Sequence, residues 1–178
     1  MQKVDLSKLL LIQSVAFKGV FLRMDGKGIK TTSGSGAGKV NCQKSLTTIC
    51  VFKLHQEKDG TFTIESVEYP GVFLRMDGSS VKSFSGSGAG SVNCQFGAAE
   101  WEHFRLRDQK DGSFAIESVA FPNVYLRMDG DNPQGKDDDF GIVNCQFNVG
   151  SYECFYLVNR IEMPTDEKLG DIMNKIKI

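Results

Sequence analysis

The 178-residue chain carries 21 Lys and Arg against 22 Asp and Glu, with 40% hydrophobic and 24% charged residues. This is the profile of a soluble globular protein, and it leaves no net field to attract nucleic acid or an anionic membrane surface. No apolar run approaches the roughly 18 residues of a transmembrane helix, so no membrane insertion is expected.

The first apolar run, Leu9 to Ile12, is too short for the core of a signal peptide, and no small-residue cleavage site follows it. The expected location is therefore cytoplasmic, with leaderless export left open. The stretch Ile-x-Ser-Val that begins at Ile12 leads on to Leu-Arg-Met-Asp-Gly. It returns at Ile64 and Ile116, 52 residues apart each time. A fixed period of this size is the mark of repeat architecture.

Each repeat reads as four short strands. Leu9 to Val15 is the first to appear, followed by the third-strand pattern around Leu22-Arg23-Met24 and a fourth at Val40-Asn41-Cys42-Gln43. Phe52-Lys53-Leu54 opens the next repeat and leads into the turn Lys58-Asp59-Gly60. Asp-Gly between alternating apolar residues is a strong hairpin signal. Phe62 to Val67 follows, then the turn at Pro70-Gly71, then Val72 to Met76, then Val92 to Gln95. Repeat three copies the order through Pro122-Asn123, and the chain returns to a first-type strand at Phe155-Tyr156-Leu157. That last strand can pair beside the first and close the ring, giving twelve strands in all. Pro164 to Leu169 has a Thr cap and early acidic residues, and Leu169, Ile172, Met173 and Ile176 follow at helical spacing. A short C-terminal helix is expected, with a homodimer contact through this tail as the other reading.

The series Asp-Gly turn, x-Ile-x-Ser, aromatic-Leu-x-x-Asp-Gly, Val-x-Cys, aromatic-x-Leu resembles the β-trefoil superfamily, and within it the fascin-like branch. The resemblance runs over residues 9–158. It implies an all-β chain, a β-trefoil of three four-stranded repeats with pseudo-threefold symmetry, to which the tail residues add the short C-terminal helix. The trefoil domain would span residues 1–163, with repeats near 9–54, 55–106 and 107–158, and the tail would span 164–178. Four strands cannot bury an apolar face alone, so three repeats are needed for a continuous core.

The residues that could carry chemistry are few. Ser33 to Lys39 suggests a phosphate loop but lacks the first Gly and the closing Ser or Thr of that motif, so no nucleotide cofactor is expected. The Gly/Ser loops at Ser33 to Gly38 and Ser85 to Gly90 read as flexible connections. The thrice-repeated Arg-x-Asp carries Arg23/Asp25, Arg75/Asp77 and Arg127/Asp129. It reads first as a repeated ion pair and turn cap, and second as a polar site in each repeat. Asp77 and Asp129 are kept as candidates on the second reading.

The fourth strand and its exit hold the richer set. Repeat two brings Asn93, Gln95 and Trp101; repeat three brings Asn144, Gln146 and Tyr152. Repeat one has Lys44 and Ile49 in the aromatic places. Sugar binding needs an aromatic face for the C–H side of the ring and a few fixed polar partners for its hydroxyls. The alternative is that Trp101 and Tyr152 plug the core. The aspartates between Asp129 and Asp139 could hold calcium, but their spacing does not match an EF-hand and a solvated loop is expected. The five cysteines read as reduced, buried thiols. His55 and His103 lie near no nucleophile motif, and no metal, cofactor or catalytic residue is expected. The expectation for function is a non-catalytic binding module that recognises a glycan or glycoprotein at up to three pseudo-equivalent sites. Actin binding or cross-linking, which the fascin-like resemblance implies, is the competing expectation.

Overall fold

The computed structural model describes residues 5–131 and 140–160. Alternating apolar residues lay down twelve short strands: β1 (Leu10–Ser14), β2 (Phe21–Asp25), β3 (Gly38–Gln43), β4 (Phe52–Gln56), β5 (Phe62–Ser66), β6 (Val72–Asp77), β7 (Gly90–Phe96), β8 (Phe104–Asp108), β9 (Phe114–Ser118), β10 (Val124–Asp129), β11 (Phe140–Phe147) and β12 (Phe155–Asn159). Single 3-10 turns at Thr48–Cys50, Glu100–Glu102 and Ser151–Glu153 precede β4, β8 and β12.

Two families of antiparallel hairpin repeat three times. One joins β4 to β5, β8 to β9 and β12 to β1, the last through Ile12 opposite Leu157. The other joins β2 to β3, β6 to β7 and β10 to β11. The turns between β1 and β2, β5 and β6, and β9 and β10 each place one residue at positive φ: Gly19 (76°), Gly71 (82°) and Asn123 (65°). Only glycine or, at some cost, asparagine takes this conformation readily, which is why Pro-Gly and Pro-Asn stand there.

Strands of different repeats also pair directly. At one end β3, β7 and β11 pair with one another, with Gly38 opposite Cys94, Gly90 opposite Cys145 and Gly141 opposite Cys42. A Cβ at any of these glycines would collide with the facing cysteine sulfur, so only glycine lets the three strands meet. At the other end Leu10 faces Phe52, Phe62 faces Phe104, and Phe114 faces Phe155.

These cross-repeat pairings correct the expected architecture. All twelve strands belong to one sheet that closes into an all-β barrel. Over the described residues, this single closed barrel replaces the expected β-trefoil of three four-stranded repeats. No α-helix occurs among the described residues, and the expected C-terminal helix, with the dimer contact attached to it, falls on residues 164–178, outside them. Closure removes free strand edges, which would otherwise offer unpaired N–H and C=O groups to other chains.

The inward side chains form layers that follow the repeat. Ile12, Ile64 and Ile116, Leu22, Leu74 and Leu126, Met24, Met76 and Met128, and Phe52, Phe104 and Phe155 are all fully buried. Cys42, Cys94 and Cys145 pack into the same core. Their sulfurs lie 3.4–3.7 Å from the carbonyl oxygens of Asp129, Asp25 and Asp77. Burial pushes all three thiols up to about 12, so they stay protonated and unreactive. All five cysteines are free.

Candidate functional site

Repeat two builds a small open cavity of about 190 Å³, lined by Thr32, Gly34, Arg75, Gln95, Ala99, Glu100, Trp101 and Glu102. Three elements supply these residues. Strand β6 brings Arg75, β7 brings Gln95, and the 3-10 turn after β7 brings Glu100, Trp101 and Glu102. Thr32 and Gly34 come from the Gly/Ser loop of the preceding repeat.

Arg75 is the centre of the arrangement and is only 3% exposed. Its Cζ lies 4.4 Å from the centroid of the Trp101 ring. Nη2 donates to Gly34 O at 2.9 Å, Nη1 to Asn93 Oδ1 at 3.4 Å, and Nε stands 3.7 Å from Glu102 Oε1. Glu102 has no exposed surface. Its carboxylate accepts from Gln95 Nε2 and from the Ala99 N–H, both at 2.7 Å, and so closes the turn that presents Trp101. Burial pushes the Glu102 carboxyl up from the ordinary range, against the Ala99 N–H, the Arg75 charge, Gln95 and His103, which pull it down.

Trp101 is half-buried. Its edge-to-face contact with Phe121, 5.2 Å between centroids, and the Arg75 guanidinium fix the ring. It serves as a core plug on one side and a cavity wall on the other. Gln95 lines the same cavity, and its buried Oε1 lacks a hydrogen-bond partner. Asn93 is spent elsewhere: its Nδ2 donates to Ser35 O at 2.8 Å and anchors the loop. Gly36 lies against that amide at φ 76°, and a Cβ there would overlap the Asn93 side chain.

Repeat three repeats the plan. Arg127 lies 4.9 Å from the Tyr152 ring centroid and 3.7 Å from Glu153. Glu153 accepts from the Gly150 N–H at 2.7 Å, and burial raises its pKa, against the Gly150 N–H and the Arg127 charge. Asn144 donates to Ser87 O at 2.8 Å, and Gln146 Oε1 accepts from the Ser85 N–H at 3.0 Å. Tyr152 stacks edge-on with Phe17, 4.7 Å between centroids. The loop residue in the Thr32 position is Phe84, 58% exposed, with its ring edge 3.8 Å from where a Gly150 Cβ would stand.

Repeat one has Ile49 and Cys50 where the others have an aromatic ring and a glutamate. Its Gln43 turns to Ser45 O, Thr47 and Cys50.

The candidate residues thus divide. Gln95 and Trp101 come together in the cavity, and Gln146 and Tyr152 belong to the equivalent constellation. Asn93 and Asn144 hold loops. Asp77 caps its own turn by accepting from the N–H and hydroxyl of Ser79, and Asp129 pairs with Arg127 at 3.2 Å. Arg23 and Asp25 pair at 3.1 Å, whereas Arg75 reaches across to Gly34. Sequence reasoning read Arg75 first as scaffold and missed Glu102 and the loop residues Thr32 and Phe84. One signal was present: a glutamate follows the aromatic residue in repeats two and three and is a cysteine in repeat one. Most of the acidic loop after Asp131 lies outside the described residues. Among the described residues, no group of three or more His, Cys, Asp or Glu side chains is arranged to hold a metal.

No protein-family model and no curated protein matches the chain. Solved structures do. A mosquitocidal holotoxin is 11% identical with a TM-score of 0.65; the match covers 89% of this chain but only 18% of the toxin chain. The designed threefold-symmetric protein ThreeFoil is 16% identical with a TM-score of 0.60, over 85% of this chain and 99% of its own. SeviL, solved bound to asialo-GM1 saccharide, is 12% identical with a TM-score of 0.58, over 86% of this chain and 98% of its own. These β-trefoil-like neighbours support a trefoil-type fold, closed as described above. Nothing in them singles out the fascin-like branch, and they lend no support to actin binding.

Proposed function

We propose that the protein is a non-catalytic carbohydrate-binding module, with its principal site at the Trp101 cavity and a second site at Tyr152. The observation that carries this reading is the half-buried indole standing beside Gln95, whose amide oxygen lacks a partner. An aromatic wall beside a few fixed polar groups is what orients a sugar ring. The cavity, about 190 Å³, is below the roughly 300–1,000 Å³ of drug-sized sites and suits a single ring. The buried Arg75–Glu102 pair holds the wall rigid, so little ordering cost falls on binding. A trefoil-type neighbour solved with a bound saccharide adds coarse support.

Repeat one, with Ile49 and Cys50, offers no such wall, which reduces the expected three sites to two. A glycan array of the intact protein tests the reading. Binding of at least one saccharide that weakens tenfold or more in Trp101→Ala supports it. Silence across the array at every density rules it out.

A further inference from the structure

We infer that the Trp101 site takes uncharged saccharides and rejects those ending in a carboxylate or a sulfate. This inference rests on the carbohydrate-binding reading above and specifies its ligand class. A site for acidic sugars needs a cation with free donors, as in the bidentate pairing of Arg with carboxylate. Among the described residues, the one cation lining this cavity is Arg75, and it is already engaged. Nη2 is turned to Gly34 O, Nη1 to Asn93 Oδ1 and Nε towards Glu102, while its face lies on the indole. Only 3% of it is exposed.

The charge balance of the lining points the same way. The lining holds one guanidinium and two carboxylates, the buried Glu102 and the exposed Glu100. If Glu102 holds a proton, which burial favours, the lining is still neutral rather than positive. In neither protonation state is there a net attraction for an anion, and Glu100 repels one directly.

Repeat three shows the same design with different parts. Arg127 sits over Tyr152, with Nη2 on Asp129 at 3.2 Å, Nη1 3.5 Å from Asn144 Oδ1 and Nε 3.7 Å from Glu153. Here two carboxylates, Asp129 and Glu153, flank the one buried guanidinium. Both sites use arginine as a brace for an aromatic ring.

The test is isothermal titration of the intact protein with glycan pairs that share a core and differ by one terminal sialic acid or sulfate. The neutral member should bind, and the acidic member should bind at least tenfold more weakly. Glu100→Gln, an exposed substitution that leaves the core alone, should narrow that gap on the order of threefold, the scale of one solvent-screened charge. Equal or tighter binding of the acidic member, lost in Trp101→Ala, overturns the charge inference and leaves the carbohydrate reading standing. Absence of binding by neutral and acidic members alike overturns both.

Discussion

The guanidinium carbon of Arg75 lies 4.4 Å from the centre of the Trp101 ring, and the Nε on the same side chain faces the carboxylate of Glu102. The ring that forms the cavity wall is therefore braced by a buried ion pair. A cation over an indole is worth about 0.5–2 kcal/mol, and half-burial of the ring adds to it. Trp101→Ala should lower stability by about 2–3 kcal/mol in urea titration, while Trp101→Phe, which keeps an aromatic face, should lose less than half as much. Equal losses would show that the face over Arg75 contributes nothing.

Glu102 should matter more to stability than its distance from solvent suggests. Removing one member of a buried pair strands the other charge, at a cost of about 3–5 kcal/mol. Glu102→Ala is expected to fall in that range. A double change, Arg75→Met with Glu102→Leu, should recover most of it, since it removes both charges. A double variant no better than the single one would contradict the pairing.

The acidic groups predict two opposite pH trends. Burial raises the folded-state pKa of Glu102 above its ordinary 4.5, only partly offset by the Ala99 N–H, Arg75, Gln95 and His103. A group that binds its proton more tightly when folded contributes fully below about pH 4.5, and the contribution fades as pH rises through the raised value. Glu65 runs the other way. Burial pushes it up, but the Gly71 N–H at 2.7 Å and the His55 contact at 2.7 Å outweigh that and leave it lowered. Its contribution is full above about pH 4.5 and is lost as pH falls through the lowered value. The cost of Glu102→Gln should therefore shrink, and that of Glu65→Gln grow, between about pH 4 and pH 7. Urea titrations at several pH values read both, and trends of the reverse sign would refute the assignment.

The loop from repeat one reaches the site only because Gly36 leaves room for the Asn93 amide. Gly36→Ala adds a steric clash to the strain of positive φ, about 1–2 kcal/mol for the strain alone. Gly34, at φ 75° with open space around its Cβ position, should carry the strain without the clash. Thermal unfolding should rank Gly36→Ala clearly below Gly34→Ala. The order reversed would mean that the Asn93 anchor does not hold the loop.

Much of the frame was legible in the chain. The 52-residue period marked the copies of each strand, and the Pro-Gly and Pro-Asn turns fell where positive φ is needed. The layers of Ile, Leu, Met and Phe follow from alternation within each repeat. The pairing of the last strand with the first was legible too, but the joining of β3, β7 and β11 was not, because it depends on Gly38, Gly90 and Gly141 meeting cysteines of other repeats, and a glycine beside a Gly/Ser loop reads as more loop. The site shows the same division. Gln95 and Trp101 are near in sequence and were found together. Arg75 looked like scaffold because Arg-x-Asp repeats three times, yet it bonds Gly34 of another repeat and leaves Asp77 to cap a turn. Phe84 stands in a loop of small residues, and only its place beside Gly150 gives it meaning.

Trp101 is the only tryptophan in the chain, so its emission reports on the cavity alone. Titrating the intact protein with neutral saccharides identified on an array, and following that emission, shows whether a sugar occupies the Trp101 cavity. A sugar seated against Trp101 should give a saturable change in tryptophan emission whose midpoint matches the calorimetric affinity and moves at least tenfold to weaker binding in Gln95→Ala. Saccharide binding that saturates calorimetrically with the emission unchanged, or an affinity untouched by Gln95→Ala, would mean that the sugar binds elsewhere.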